Sequence, residues 1–149
     1  MLLTEFDANR QAIINPEDLN EPLEGFPKIA VSCFSRSTFQ RMLEMFPHEL
    51  IYETSMANVA IPIYKLVIDE QELALFNAPV GASACVAILE DIFALGTDKL
   101  VLFGTCGVLD EDIKETSIII PSHALRDEGT SFHYVEASNE IAVNVGVLA

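Results

Sequence analysis

The stretch from Ser83 to Gly107 constrains the fold more than any other. Ser83 to Leu95 is an amphipathic helix pattern with Val86, Leu89, Ile92 and Phe93 on one side, and Gly96 closes it as a helix-ending residue. Lys99 to Phe103 follows as a continuous apolar run, which predicts a buried strand. That strand opens into Gly104-Thr105-Cys106-Gly107, a loop of small residues that leaves bare backbone and one hydroxyl facing the sheet's carboxyl edge. A continuously apolar strand fed by an amphipathic helix belongs in a sheet covered by helices.

The rest of the chain fits that frame. Residues 1–25 are polar, contain Asn15-Pro16-Glu17-Asp18, and read as an N-terminal arm with a first helical turn near Pro16. The segment 26–149 reads as a single domain. Pro27 to Phe34 predicts a short buried strand, and Ser35 caps a helix running to about Phe46, where Pro47 ends it. Leu50 to Met56, Ala60 to Asp69 and Glu72 to Asn77 predict antiparallel strands with a hairpin turn at Asp69-Glu70-Gln71. Ser117 to Ile120 predicts one more strand, stopped by Pro121. Strand, helix, antiparallel strands, helix, strand gives an α/β fold with a mixed β-sheet flanked by helices.

Charge narrows the partners. Only 21% of the 149 residues are charged, yet the net charge is −15, because Lys and Arg are scarce. Nucleic acid and anionic membrane surfaces both require a basic face, so neither is expected as a partner. An anionic substrate would have to find its counter-charges among Arg10, Arg36, Arg41, Arg126, Lys28, Lys65, Lys99 and Lys114. Cys33, Cys85 and Cys106 are odd in number and lack metal-type spacing with His48, His123 or His133, so free thiols and no metal site are expected. No apolar signal core or membrane-length run stands in the sequence, which makes a cytoplasmic protein the expectation.

Four segments carry a resemblance. Val80-Gly-Ala-Ser83, Glu90-Asp91, Leu100-Val-Leu-Phe-Gly-Thr-Cys-Gly107 and Arg126-Asp-Glu-Gly-Thr-Ser-Phe-His-Tyr134 together resemble the nucleoside phosphorylase family of the uridine and purine phosphorylase type, from about Phe26 to Tyr134. The resemblance implies a truncated three-layer α/β/α fold that corresponds to the family's N-terminal part. The family's C-terminal segment, which supplies the ribose-gripping glutamate and the base-recognising residues, would lie beyond Ala149. It further implies phosphorolysis of a nucleoside to base and pentose 1-phosphate, a homo-oligomer, and no cofactor, with inorganic phosphate as co-substrate.

Transferred position by position, the resemblance makes Arg36 and Thr105 phosphate-binding residues. Gly104, Cys106, Gly107 and Gly81 would line the substrate site, and no residue is assigned as catalytic. Arg36 also has a physical warrant, since an arginine beside a helix N-terminus suits an anion; a solvated surface arginine is the plain alternative. Arg126 either supplies phosphate charge or fixes its own loop by pairing with Asp127 or Glu128, the latter being favoured. His133 either donates a proton to substrate or packs within its loop. Gly81 and Ser83 are equally consistent with a tight turn capped by Ser83, and Glu90 and Asp91 with a solvated helix face.

Departures from the family pattern leave other functions open. Ser32 and Ser35 replace loop glycines, Pro79 and Ala82 stand in the turn before the helix, and Leu102 stands where an arginine is frequent. A nucleosidase, which uses water instead of phosphate, tolerates Leu102 better. A non-catalytic nucleoside- or phosphate-binding protein, or an assembly partner, is the other alternative.

Overall fold

Burial on both faces of the strands Ile29–Cys33, Val59–Ile68 and Gln71–Asn77 sets one helix against each face of a mixed sheet. In the computed structural model, which describes residues 4–114, 117–143 and 146, the chain forms two compact units, Gln11–Gly104 and Met1–Arg10 with Thr105–Ala149.

The larger unit contains α1 (Pro16–Leu19), β1 (Ile29–Cys33), α2 (Arg36–Met45), β2 (His48–Met56), β3 (Val59–Ile68), β4 (Gln71–Asn77), α3 (Ala82–Ala94) and β5 (Lys99–Phe103). Its five strands run in the order β2-β3-β4-β1-β5. The β2/β3 and β3/β4 pairs are antiparallel, whereas β1 lies parallel to both β4 and β5. The tight connection from β3 to β4 turns through Asp69 and Glu70, both at positive φ (48° and 64°), which matches a hairpin turn whose twist suits its strands.

Side chains of successive residues leave a strand on opposite faces. Ala30, Ile61, Ile63, Ala74 and Phe76 therefore meet Cys85, Ile88, Ile92 and Leu95 of the α3 segment on one face. Val31, Cys33, Tyr64, Leu66 and Leu75 meet Phe39, Met42, Leu43 and Phe46 of the α2 segment on the other. The expected mixed sheet flanked by helices, a three-layer α/β/α arrangement, is present.

Several local expectations change. The buried stripe of α3 is Cys85, Ile88, Ile92 and Leu95, and Phe93 is exposed. Cys85 belongs to the same core cluster as Ala74 and Ala78, and Leu89 packs against that cluster while only partly buried. Val101, Leu102 and Phe103 of β5 are all about half exposed, although the apolar run predicts a buried strand. Among the described residues β5 pairs only with β1, so it is an edge strand with an unpaired side.

The smaller unit is built on a two-stranded antiparallel ribbon of β6 (His123–Leu125) and β7 (Glu140–Ala142), with a single 3-10 turn at Thr130–His133. The strand predicted at Ser117–Ile120 is absent: these residues have no ladder partners, and Ile118 is 87% exposed. A strand exists only where its backbone groups are paired, and in this unit β7 pairs with 123–125 instead.

Candidate functional site

The parallel register levels the ends of three strands. Cys33 pairs with both Asn77 and Phe103, so β1, β4 and β5 finish side by side at one carboxyl edge. From that edge the chain leaves β1 through Phe34 and Ser35 into α2, on one face of the sheet. It leaves β4 through Ala78 to Gly81 into α3, on the opposite face. Adjacent parallel strands whose connections diverge to opposite faces create a crevice at their carboxyl ends, where α/β sheets bind ligands.

Three of the residues singled out from sequence border this crevice. Arg36 is the first residue of α2, is exposed, and has no side-chain partner among the described residues. Ser35 caps that helix as expected, its hydroxyl accepting from the Thr38 amide at 3.2 Å. The remaining free amides and the dipole of a ten-residue helix thus stand beside a free guanidinium. Gly81 is the N-cap of α3, at φ 110°, a conformation that disfavours any side chain. This position corrects the expectation that Ser83 caps the turn, since Ser83 lies inside the helix.

Gly104 directly follows β5. A side chain there would meet the Phe34 ring at 3.2 Å, so the glycine accommodates the protein's own aromatic residue. The sequence leads one to expect bare backbone at this strand end, but Phe34 covers part of it while remaining 38% exposed itself.

Two side chains to which sequence reasoning gave no role, Ser32 and Asn77, tie the crevice together. Ser32, wholly buried, donates to the Phe76 carbonyl and accepts from the Ala78 amide, each at 2.9 Å. Asn77 Nδ2 donates to the Cys33 carbonyl at 2.5 Å. A serine within the apolar Ile29–Phe34 run was the available signal for Ser32. Cys33 beside it is a buried free thiol whose titration burial pushes up, against backbone hydrogen bonding around Ser35.

Asp91 also departs from expectation. It does not face solvent but accepts from Asn20 Nδ2 at 2.8 Å and from Thr54 Oγ1 at 2.5 Å, joining α3 to β2 and to the residue after α1. Glu90 beside it is half-buried.

The remaining candidates belong to the smaller unit. Thr105, Cys106 and Gly107 are exposed, with Cys106 a free thiol and open space around Gly107. His133 is exposed at the end of the 3-10 turn. Arg126 is buried and held in place: Nε donates to Ser131 Oγ at 2.9 Å, and Nη1 donates to the Glu136 carbonyl at 2.6 Å and to Ser138 Oγ at 2.9 Å. Nη2 donates to the Val135 carbonyl at 3.3 Å, and the guanidinium stacks 4.1 Å from the Phe132 ring centroid. Arg126 therefore fixes its loop, but through hydroxyls, carbonyls and a ring, not through direct pairing with Asp127 or Glu128. Glu128 instead caps the 3-10 turn, accepting from the Thr130 and Ser131 amides and the Ser131 hydroxyl. Those hydrogen bonds, led by the Ser131 hydroxyl, hold its carboxyl below the usual range. A cavity of about 460 Å³ in this unit is walled in part by Arg126, Asp127, Phe132 and Asn139.

Among the described residues no group of three or more His, Cys, Asp or Glu could hold a metal ion, and no helix is long and apolar enough to cross a membrane.

With this geometry in place, comparison with known proteins is decisive at the family level. The family model described as the phosphorylase superfamily matches residues 28–147. The chain belongs to the phosphorylase superfamily. A uridine phosphorylase from Vibrio fischeri superposes with a TM-score of 0.72 at 17% identity, over 93% of this chain and 56% of that one. A futalosine hydrolase of Helicobacter pylori superposes with a TM-score of 0.62 at 18% identity, over 83% of this chain and 55% of that one. At such identities these likenesses show a shared fold. A guanosine phosphorylase of Halorubrum lacusprofundi is 27% identical over 74 residues, 48% of this chain and 31% of that protein. The chain thus spans just over half of the superposed structures and about a third of the matched curated relative.

Proposed function

We propose that this protein is a nucleoside phosphorylase that binds inorganic phosphate and a nucleoside at the carboxyl edge of β4, β1 and β5. The observation that carries the reading is Arg36, a free guanidinium on the first residue of α2 at the point where the sheet's connections diverge. Its planar fork suits two phosphate oxygens, and the helix amides beside it add donors of the same sign. The phosphorylase names among the relatives agree with this choice of substrate class.

In phosphorolysis a phosphate oxygen bonds to the anomeric carbon as the bond from that carbon to the base nitrogen breaks. The base departs with the electron pair and takes up a proton. The transition state is rich in developing charge, so an enzyme contributes chiefly by fixing phosphate in line and stabilising that charge. Arg36 holds the nucleophile, and Gly81 and Gly104 leave room for the sugar. Inorganic phosphate is a co-substrate in this scheme, and no cofactor enters it.

Calorimetric titration with inorganic phosphate tests the reading. Arg36→Ala should weaken binding about ten- to a hundredfold, the worth of one or two charge-assisted hydrogen bonds. Unchanged affinity in that variant would remove the reading's basis.

A second reading, a nucleosidase, is favoured by one residue. Leu102 offers no charge to phosphate at a position where the resembled phosphorylases frequently carry arginine, and a hydrolase shares the fold. A non-catalytic binding protein would show ligand affinity with no base release under either condition. The unpaired edge of β5, with its half-exposed Val101, Leu102 and Phe103, supports self-association into a homo-oligomer. Sedimentation as a monomer at high concentration would count against it. Three free cysteines fit a reducing, cytoplasmic setting.

A further inference from the structure

The two connections that border the crevice are not free to move independently, and the side chains that couple them lie outside the crevice itself. The parallel ladder between β1 and β4 ends at Cys33 and Asn77. Beyond that point the backbones diverge, one toward the α2 N-terminus and one toward the α3 N-terminus. Four hydrogen bonds tie together the last two pairs of the ladder and Ala78, the first residue of β4's exit. Ser32 Oγ donates to the Phe76 carbonyl, and the Ala78 amide donates both to Ser32 Oγ and, at 3.2 Å, to the Cys33 carbonyl. Asn77 Nδ2 supplies the fourth, to that same Cys33 carbonyl.

We propose that Ser32 and Asn77 are positioning residues for the phosphate site: they fix the first residue of α2, Arg36, relative to the turn that enters α3 at Gly81. The inference rests on the phosphate-binding reading given above. Ser32 is wholly buried in β1 and Asn77 is half-buried at the end of β4, so they act through the backbone they hold. The coupling is short-ranged. Only Phe34 and Ser35 separate the Cys33 carbonyl from Arg36, and Ala78 is followed by the conformationally stiff Pro79 before Gly81. A hydroxyl that both donates to one backbone group and accepts from another sets a distance from each side, which an apolar residue of the same size cannot do. Displacement of a binding group by about an ångström can change function on the order of a hundredfold, so a few tenths are enough to matter.

The test is a double-mutant cycle read as affinity for inorganic phosphate. Ser32→Ala should weaken phosphate binding about tenfold in the otherwise unchanged protein, and much less in an Arg36→Lys background, because the fork whose placement it governs is already lost. Asn77→Ala is the parallel arm, and serves if Ser32→Ala fails to fold. A purely structural role would lower the thermal midpoint while leaving phosphate affinity unchanged, or would weaken affinity by equal factors in both backgrounds. Either result overturns the proposal. If the unsubstituted protein and Arg36→Lys bind phosphate equally, or neither binds, it is the phosphate-binding reading that fails, and the inference falls with it.

Discussion

Arg36 and Arg126 set the same side chain in opposite surroundings, one exposed at the start of α2 and the other buried in its own loop. Arg126 meets four oxygen acceptors and an aromatic face within its own loop, so removing this buried guanidinium deletes every one of those contacts at once. Arg126→Leu should destabilise the smaller unit by roughly 2–4 kcal/mol, measured as faster hydrogen exchange at the Arg126 and Val143 amides that close its ribbon. Glu128 gives a pH dependence. Its carboxyl titrates below the ordinary 4.5 when folded, so its contribution is present above that value and disappears as pH falls through the depressed one. Being exposed, it contributes little, and the loss should appear as fraying of the Thr130–His133 turn in acid, absent in Glu128→Gln. Thiol chemistry separates the cysteines. Cys106 should be alkylated in the native protein, while Cys33 and Cys85, buried and with their thiols pushed up by burial, should react only on unfolding, as mass spectrometry would record. At this scale the sequence marked Arg36 through its place after a capping serine. It could not reveal that Ser32 and Asp91 are bound inward, because their partners are 44 to 46 and 37 to 71 residues away.

The secondary elements divide into those whose pattern is local and those decided by a distant partner. The Ser35 cap, the Asp69-Glu70 turn and the approximate limits of β1 to β5 all depend on neighbouring residues, and they were legible. The stripe of α3 was legible only in part: Leu89 and Ile92 do face the core, but Cys85 is buried there and Phe93 is exposed, which depends on where the helix meets the sheet. The apolar run at Ile118–Ile120 has strand composition but no ladder, and composition alone does not supply one. Asp91 shows how an element is held from outside. Asp91→Ala should leave Thr54 Oγ1 and Asn20 Nδ2 without their acceptor, costing about 1–3 kcal/mol in denaturant unfolding. The same substitution should loosen the contact of α1 with α3 before the sheet itself opens.

For the molecule as a whole, the order β2-β3-β4-β1-β5 positions the candidate site more than any single motif does. It brings the ends of β1, β4 and β5 level and sends α2 and α3 to opposite faces, so that Arg36, Gly81 and Gly104 border one crevice although they are spread over nearly half the chain. Sequence reasoning reached these three through family resemblance, with the helix start as a further warrant for Arg36; the register explains physically why residues so far apart come to one sheet edge. The measurement that bears most directly on this account is base release from a panel of purine and pyrimidine nucleosides, with and without inorganic phosphate, by the purified protein and by Arg36→Ala. The account predicts release that requires phosphate and falls at least tenfold in Arg36→Ala. Release at the same rate without phosphate, or undiminished in Arg36→Ala, would contradict it.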